Sequence, residues 1–563
     1  LLFVEKILSA GEELPAGWPV QGTTGYEFLN DLEDVLIDRD GFARIESAYR
    51  QLRLPQAATF HEIARAGKAR VLRGALHADV DRVVALIAPA PGGHGPRWPA
   101  SEIADALVEF IAALPVYRTY VGPDGQPAAE DRAIIDRAVG DARAASAHPD
   151  IVGWIGELML GRAADGDVDS AARLQFVQRV QQLSGPAAAK GVEDTALYDY
   201  APLASRNEVG GAPDRPLDDA VQRLHDANER RAARHPLALL ATNTHDTKRS
   251  ADARARLDAL SEMPKEWEQA IGRWRLLNDE HRRRDNTERA PDANAEYLLY
   301  QTLVALWPSP PDLCARVTKY MIKAAREAKV YTSWVNANQS YEQALERFVG
   351  RILAPSNGEF LGDLAHVAER AAQAGARNAL SRVAVHLTSP GTPDIYQGDE
   401  LWNFALVDPD NRRQVDYDLR AALLGELAAA GDPVSRICGV GLSWDGAKLL
   451  ITHRLLALRR AQAELFTRGS YRPLVVRGSR AGHIIAFARS INGRHAVTVA
   501  SRLTDTWTSR SPADWWGDTS IQLPDDIGTG RWRDAITGKP ISMGETVAVS
   551  TLLDKLPVAV IGN

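Results

Sequence analysis

Leu237-Ala238-Leu239-Leu240-Ala241-Thr242 is a short apolar run that breaks at once into Asn243-Thr244-His245-Asp246-Thr247-Lys248-Arg249. An apolar run without polar alternation marks a strand covered on both faces, as in a parallel sheet flanked by helices. Ionisable groups crowded at the carboxyl end of such a strand are where barrel and open α/β enzymes carry their chemistry. The same pattern occurs in Leu1-Leu2-Phe3-Val4, closed by Glu5-Lys6. It occurs again over residues 383–388, closed by Ser389-Pro390-Gly391-Thr392-Pro393-Asp394. Residues 18–28 are a fourth candidate strand, with Gly22-Thr23-Thr24-Gly25-Tyr26 at the polar end.

Between these strands lie two long polar stretches rich in Ala, Arg and Glu, about 45–170 and 255–380, with helical periodicity and too long to be simple loops. Within the second, Tyr297, Leu298, Tyr300, Gln301, Val304 and Ala305 fall at helical spacings and predict a buried stripe. The proline- and glycine-rich residues 89–99 read as a linker or surface loop inside the first stretch. After about residue 440 the pattern changes to strands. Asn492-Gly493 predicts a tight hairpin between residues 484–488 and 496–500, and residues 547–550 and 558–561 read as closing strands. Trp507, Trp515, Trp516 and Trp532 fit core and inter-domain packing better than a sugar platform.

Composition bounds the function. The 563 residues predict roughly three or more domains. With 45% hydrophobic and 25% charged residues and a formal charge of −7, the chain is neither disordered nor built to bind nucleic acid by bulk positive charge. No run approaches the ~18 apolar residues of a membrane-spanning helix. The two cysteines, Cys314 and Cys438, are far apart, which argues against a disulfide framework and points to a reducing, cytoplasmic setting. The opening residues have no basic region and meet Glu5 too soon for a signal peptide, so they read as a strand already inside a domain and the chain as a piece of something longer.

Several signatures fail. The segment 185–190 lacks the second glycine of a phosphate-cradling loop, His61-Glu62 lacks the second histidine of a helical zinc site, and Gly93-His94-Gly95 follows no strand. No nucleotide, metal or other cofactor is expected. What remains is carboxylates at strand ends. Glu5 could simply pair with Lys6 or an arginine, and Asp246 could simply cap a helix. Two carboxylates facing one site are otherwise the apparatus of glycoside cleavage, one protonating the leaving oxygen while the other stabilises or attacks the sugar cation. Lys190, Glu193 and Asp194 form a dense charged cluster whose plainer reading is a surface ion-pair network.

Eight segments in order resemble one family. They are Val4-Glu5-Lys6-Ile7-Leu8, Gly22-Thr23-Thr24-Gly25-Tyr26, Pro115-Val116-Tyr117-Arg118-Thr119-Tyr120 and Ala189-Lys190-Gly191-Val192-Glu193-Asp194-Thr195. Asn207-Glu208-Val209-Gly210-Gly211, Thr244-His245-Asp246-Thr247-Lys248-Arg249-Ser250, Arg326-Glu327-Ala328-Lys329 and Leu406-Val407-Asp408-Pro409-Asp410-Asn411-Arg412-Arg413 complete the set. Together they resemble the maltooligosyl trehalose synthases of the α-amylase superfamily, glycoside hydrolase family 13.

The resemblance implies an α/β fold: the C-terminal half, strands five to eight, of a (β/α)₈ TIM barrel with large helical insertions, followed by an all-β C-terminal sandwich. It implies barrel strands five and six in 1–45, a helical insertion over 46–170 and barrel through strand seven over 171–254. A second insertion would span 255–380, strand eight and its helix 381–440, and a linker helix with the β-sandwich 441–563. Glu5 would be the general acid/base and Asp246 the stabilising carboxylate, beside a sugar-binding His245. Lys190, Glu193 and Asp194 would hold the reducing-end glucose, with Tyr26, Arg118, Tyr396 and Arg412 as sugar or scaffold contacts; for Arg412 and Arg413 the scaffold role is at least as good a fit. The family's nucleophilic aspartate belongs to a segment that would precede Leu1, so the expected partners are a maltooligosaccharide and the N-terminal fragment of the same protein completing the barrel. The implied reaction is isomerisation of the reducing-end α-1,4 bond of a maltooligosaccharide to an α,α-1,1 bond. The alternatives are an α-glucan hydrolase of the same superfamily or a non-catalytic glucan-binding fragment.

Overall fold

In chain order the first 400 residues carry β1 (Phe3–Val4), β2 (Gly22–Thr23), β3 (Leu239–Ala241), a short antiparallel hairpin of β4 (Arg283–Asp285) and β5 (Glu288–Ala290), and β6 (Thr392–Asp394). The computed structural model describes all residues except 54–57, 89–97, 163–167, 286–287, 309–311, 435–443, 508–510 and 529. Most of the loop expected at 89–99, and Cys438, therefore lie outside the described residues; Cys314 is free and exposed. Among the described residues no helix is long and apolar enough to cross a membrane.

The two parallel pairs position everything that follows. Phe3 stands opposite Gly22 and Val4 opposite Thr23, while Leu239 stands opposite Thr392 and Ala241 opposite Asp394. The pairs lie side by side because β2 begins with a glycine: a Cβ on Gly22 would come within 2.4 Å of the Ala238 Cβ. The helix Tyr26–Asp34 follows β2 directly and buries Tyr26, Phe28, Leu29 and Leu32. Burial of a large apolar side chain is worth about 1.5–3 kcal/mol, so this helix is anchored by one face.

Four strand expectations need correction; one is the closing strand expected at 547–550, where the strand Thr546–Ala548 gives way to the short helix Val549–Leu552. Residues 383–388 are not a strand but the last turns of a 31-residue helix, Gly358–Thr388, and the strand comes later, at β6. Ala384, Val385 and Leu387 are buried because the helix end runs through the core, and a short apolar run cannot distinguish that from a buried strand. Of residues 18–28 only Gly22–Thr23 pairs; the rest is loop and helix start. Leu1 and Leu2 are 90% and 56% exposed rather than buried, since β1 pairs with β2 alone among the described residues.

The long intervening stretches are helical, with two separate cores. Helices between Phe60 and Ala188 enclose Leu72, Val80, Ile103, Phe110, Ile135, Ile155, Met159 and Phe176. A second core gathers Tyr49, Tyr200, Trp267, Trp274, Tyr300, Phe348 and Phe360. The helix Ala293–Leu306 carries the expected apolar positions, but it is buried from Glu296 to Leu306 on every side rather than along a stripe, so it is a core helix.

The C-terminal strands are β7 (Ser470–Pro473), β8 (Val475–Arg477), β9 (Ile484–Ile491), β10 (Arg494–Ser501), β11 (Ser520–Gln522), β12 (Gly530–Asp534), β13 (Pro540–Met543), β14 (Thr546–Ala548) and β15 (Val558–Gly562). They form a six-stranded antiparallel sheet in the order β13-β12-β15-β10-β9-β7 and a three-stranded one, β14-β11-β8. The hairpin turns at Asn492 and Gly493, both with positive φ, as the two-residue turn requires. Alternation explains why β9 reads as continuously apolar. Ile485 and Phe487 face the helix Gly358–Thr388 and its neighbours, whereas Ile484, Ala486 and Ala488 face the core shared with the small sheet. Trp515, Trp516 and Trp532 are buried in that second core and Trp507 packs against it.

Candidate functional site

Four chain segments leave the carboxyl ends of β1, β2, β3 and β6, and Tyr26 joins two of them. It is the first residue of its helix and almost fully buried, and its phenol lies 3.1 Å from the Thr244 hydroxyl in the segment after β3. Burial pushes the phenol up to about 12, against the Thr244 hydrogen bond, and the negative charges of Asp246, Glu5 and Glu193 add to the rise. The phenol therefore ties the helix after β2 to the loop after β3 that carries His245 and Asp246.

The Asn243–Arg249 loop is fixed from below. Thr247 donates its hydroxyl to Asn243 Oδ1 at 2.5 Å, and the Asp246 N–H reaches the Thr244 hydroxyl at 3.1 Å. Glu208, wholly buried, accepts the backbone N–H of Lys248 at 2.6 Å and of Arg249 at 2.9 Å, with the Arg254 guanidinium 3.7 Å away. Asn243 in turn donates to Asp399 at 3.0 Å. With its backbone held, the loop presents His245 and Asp246, 3.3 Å apart and each more than half exposed. Asp246 caps no helix, since the next helix starts at Ala251 behind Ser250.

Glu5 is exposed, and Lys6 turns away from it to pair with Glu12 at 2.5 Å. The Lys6 ammonium also stands 4.8 Å from the Tyr120 ring, which packs edge-on against Trp18 and carries the Arg118 guanidinium at 5.1 Å. Arg118 is thus placed beside the Glu5 segment by an aromatic ring.

Lys190, Glu193 and Asp194 share one π-helical stretch, Ala189–Ala196, a widened turn of a kind often found at functional sites. Gly191 lets this stretch pack closely on the helix Phe60–Arg73, since a Cβ there would meet the Lys68 backbone at 2.5 Å. Lys190 pairs with Asp194 at 2.6 Å and is 64% exposed. Glu193 points elsewhere, accepting the Tyr117 hydroxyl and, at 3.2 Å, the Gly210 N–H. Burial and the Glu193 charge hold the Tyr117 phenol well above its ordinary value. On the β6 side the Tyr396 hydroxyl donates to the Asn411 carbonyl at 3.0 Å, and the Asn411 amide donates to the His245 carbonyl at 2.8 Å. Arg412 pairs with Asp408 at 2.5 Å on the surface.

The structure therefore ties Tyr26 to the loop bearing His245 and Asp246, ties Tyr396 to His245 through Asn411, holds Glu193 on Tyr117 and Gly210, and sets Lys190 with Asp194 in a surface pair on the same π-helix, while Glu5 stands exposed after β1. Residues that stand in the resembling segments but take no role from the sequence are Thr244, Tyr117, Asn411 and above all Glu208. The available signal was a carboxylate set among glycines in Asn207-Glu208-Val209-Gly210-Gly211.

No family model matches the chain. A protein from Mycobacterium tuberculosis, described as a candidate maltooligosyl trehalose synthase, is 33% identical over 569 residues, covering 100% of this chain and 65% of that protein. The solved maltooligosyltrehalose synthase of Arthrobacter ramosus superposes with a TM-score of 0.82 at 33% identity, covering 99% of this chain and 66% of that one. A hypothetical maltooligosyl trehalose synthase from Sulfolobus tokodaii gives 0.74 at 27% identity, over 100% of this chain and 65% of that chain. The chain thus spans about two thirds of the length of these relatives.

Proposed function

We propose, from the premise that the chain belongs to the maltooligosyl trehalose synthase family, that it supplies the acid/base half of an intramolecular transglycosylase, a (1→4)-α-D-glucan 1-α-D-glucosylmutase. The substrate is a maltooligosaccharide, and the reaction moves its reducing-end glucose from an α-1,4 to an α,α-1,1 bond, a step toward trehalose. The observation that carries this reading is the loop after β3, clamped by Glu208 and held at 3.1 Å by the Tyr26 phenol through Thr244, which presents His245 and Asp246 side by side. In this reading β1, β2, β3 and β6 are strands five to eight of a (β/α)₈ barrel, and the two C-terminal sheets form a β-sandwich. The domain limits are those the sequence implies.

Retention at the donor carbon requires two inversions through a covalent glycosyl-enzyme. Glu5, exposed after β1, first protonates the leaving 4-oxygen and then takes the proton from the attacking anomeric hydroxyl. Asp246 stabilises the positive charge developing on the sugar, and His245 contacts a hydroxyl. Glu193 and Lys190 hold the freed glucose while it turns, and the helical insertions close around it to keep water out. Tyr396, Arg118 and Arg412 serve as contacts or scaffold. The nucleophilic carboxylate would come from the part of the family's length that this chain does not match, present as a second fragment of the same protein. A cytoplasmic setting fits the free thiol of Cys314.

The test is incubation with maltopentaose of the chain combined with a polypeptide covering the remaining third of the family's length. Loss of reducing ends, with a non-reducing product of equal length, is expected. Release of new reducing ends would mean an α-glucan hydrolase, and binding without turnover a glucan-binding fragment.

A further inference from the structure

The segment Arg326-Glu327-Ala328-Lys329, singled out by sequence, leads into a loop that the reaction leaves without a role. From Tyr331 to Tyr341 it contains no charged residue, in a chain that is 25% charged. Trp334 is 55% exposed and Val335 90% exposed, and the flanking amides of Asn336, Asn338 and Gln339 are exposed as well.

This is not a slack loop. The Arg326 guanidinium lies 4.8 Å from the Trp334 ring and is itself held by a two-pronged pair with Glu342, at 2.8 and 2.7 Å. Thr332 donates to the same Glu342 at 2.7 Å and accepts the Asn338 N–H at 2.9 Å, while Asn338 caps the helix Gln339–Ile352 through the Tyr341 N–H. An exposed indole is thus backed by a fixed cation and kept from collapsing onto the surface. At the base of the loop, Lys329 donates to the Asp194 carbonyl at 2.6 Å and the Thr195 hydroxyl at 2.8 Å, tying it to the π-helix of the candidate site.

We propose that Trp334 is the platform of an auxiliary α-glucan site, stacking glucose units of a chain longer than the catalytic site holds. The inference rests on the glucan reading above. An uncharged surface with an apolar ring in the middle and amide donors and acceptors at its edge matches a glucose unit, which has apolar C–H faces and a rim of hydroxyls. The one cation beside the ring, Arg326, is already engaged by both oxygens of Glu342, so no unpaired charge at the ring selects a phosphate or a charged peptide.

Affinity electrophoresis of the full chain in gels containing soluble amylose tests this, with calorimetry against maltotriose in parallel. The parent protein is expected to be retarded by amylose. Trp334→Ala should weaken the retardation by roughly 3- to 10-fold, the order of an aromatic stacking contact. Trp334→Tyr should stay within about 2-fold, because it keeps a ring. All three should bind maltotriose alike. Equal retardation of parent and Trp334→Ala overturns the platform, as does a parent that amylose does not retard. A change confined to self-association, read by gel filtration, would instead make Trp334 a protein contact and overturn it too. Absence of maltotriose binding in all three, each combined with the polypeptide covering the remaining third of the family's length, would strike the function reading itself, whatever the amylose result.

Discussion

Glu208 accepts the backbone N–H of Lys248 at 2.6 Å across 40 residues of sequence, from a position with no exposure to solvent. Two residues on, the Gly210 N–H donates to Glu193. One short segment therefore fixes both the loop bearing Asp246 and the carboxylate expected to meet the freed glucose. Glu208→Gln keeps the volume but can offer only one acceptor to two N–H groups, leaving one buried donor facing another. Hydrogen bonds to charged groups are worth about 1.5–3 kcal/mol, so turnover should fall at least about tenfold as the loop shifts. Maltotriose affinity should stay within a few-fold. Parallel loss of affinity, turnover and melting temperature would show a purely structural role.

Glu5→Gln removes the proton donor and leaves its exposed surroundings in place. General acid–base catalysis contributes roughly 10²–10⁴-fold, and here one group serves both steps. Isomerisation and side hydrolysis should both disappear while oligosaccharide binding persists, with Asp246→Asn close behind. Initial rates with maltopentaose decide it, and retention of more than about a tenth of parental turnover would remove Glu5 from the role.

The split between legible and illegible features has physical causes. Glu5 and Asp246 stand out as ionisable groups at the end of an apolar run, but an ion pair or a helix cap would explain them as well, and their roles, like those of Tyr26 and His245, come only with the resemblance. Glu208 lies in one of the resembling segments, but its clamping role is illegible, because its partners are backbone N–H groups and side-chain chemistry does not announce them. The hairpin at Asn492-Gly493 was legible from its turn chemistry. The run at 383–388 reads as a strand because it is buried almost throughout, which erases the periodicity that separates helix from strand.

Asp399 sits wholly buried under the same loop, accepting from Asn243 at 3.0 Å and Asn403 at 2.8 Å, both on Oδ1. Burial pushes it up to about 6, against the pull of Lys448. A carboxyl raised on folding binds its proton more tightly in the native state, so between about pH 4 and 6 the unfolded chain holds fewer protons. Stability from this group is then greatest below pH 4 and falls by about 1.4 kcal/mol per pH unit until pH 6, above which it is level. Asp399→Asn keeps the acceptor and should abolish that slope in urea unfolding measured from pH 4 to 7. An unchanged slope would mean another group carries it.

Lys190 and Glu193 share a helix but not an environment, and that difference separates a working cluster from an idle one. The Lys190–Asp194 pair is exposed and four residues apart, a geometry worth only about 0.3–0.5 kcal/mol, so Lys190→Ala should barely change stability. Glu193→Ala strips the buried Tyr117 phenol of its acceptor and should cost about 1–3 kcal/mol. If both groups hold the released glucose, they act after bond cleavage, and either change should raise free glucose per trehalosyl product by roughly tenfold while slowing substrate consumption less. Product ratios by chromatography are the measurement. A stability loss in Glu193→Ala with unchanged product ratios in both variants would leave the cluster a scaffold that merely braces Tyr117 and the Gly210 turn.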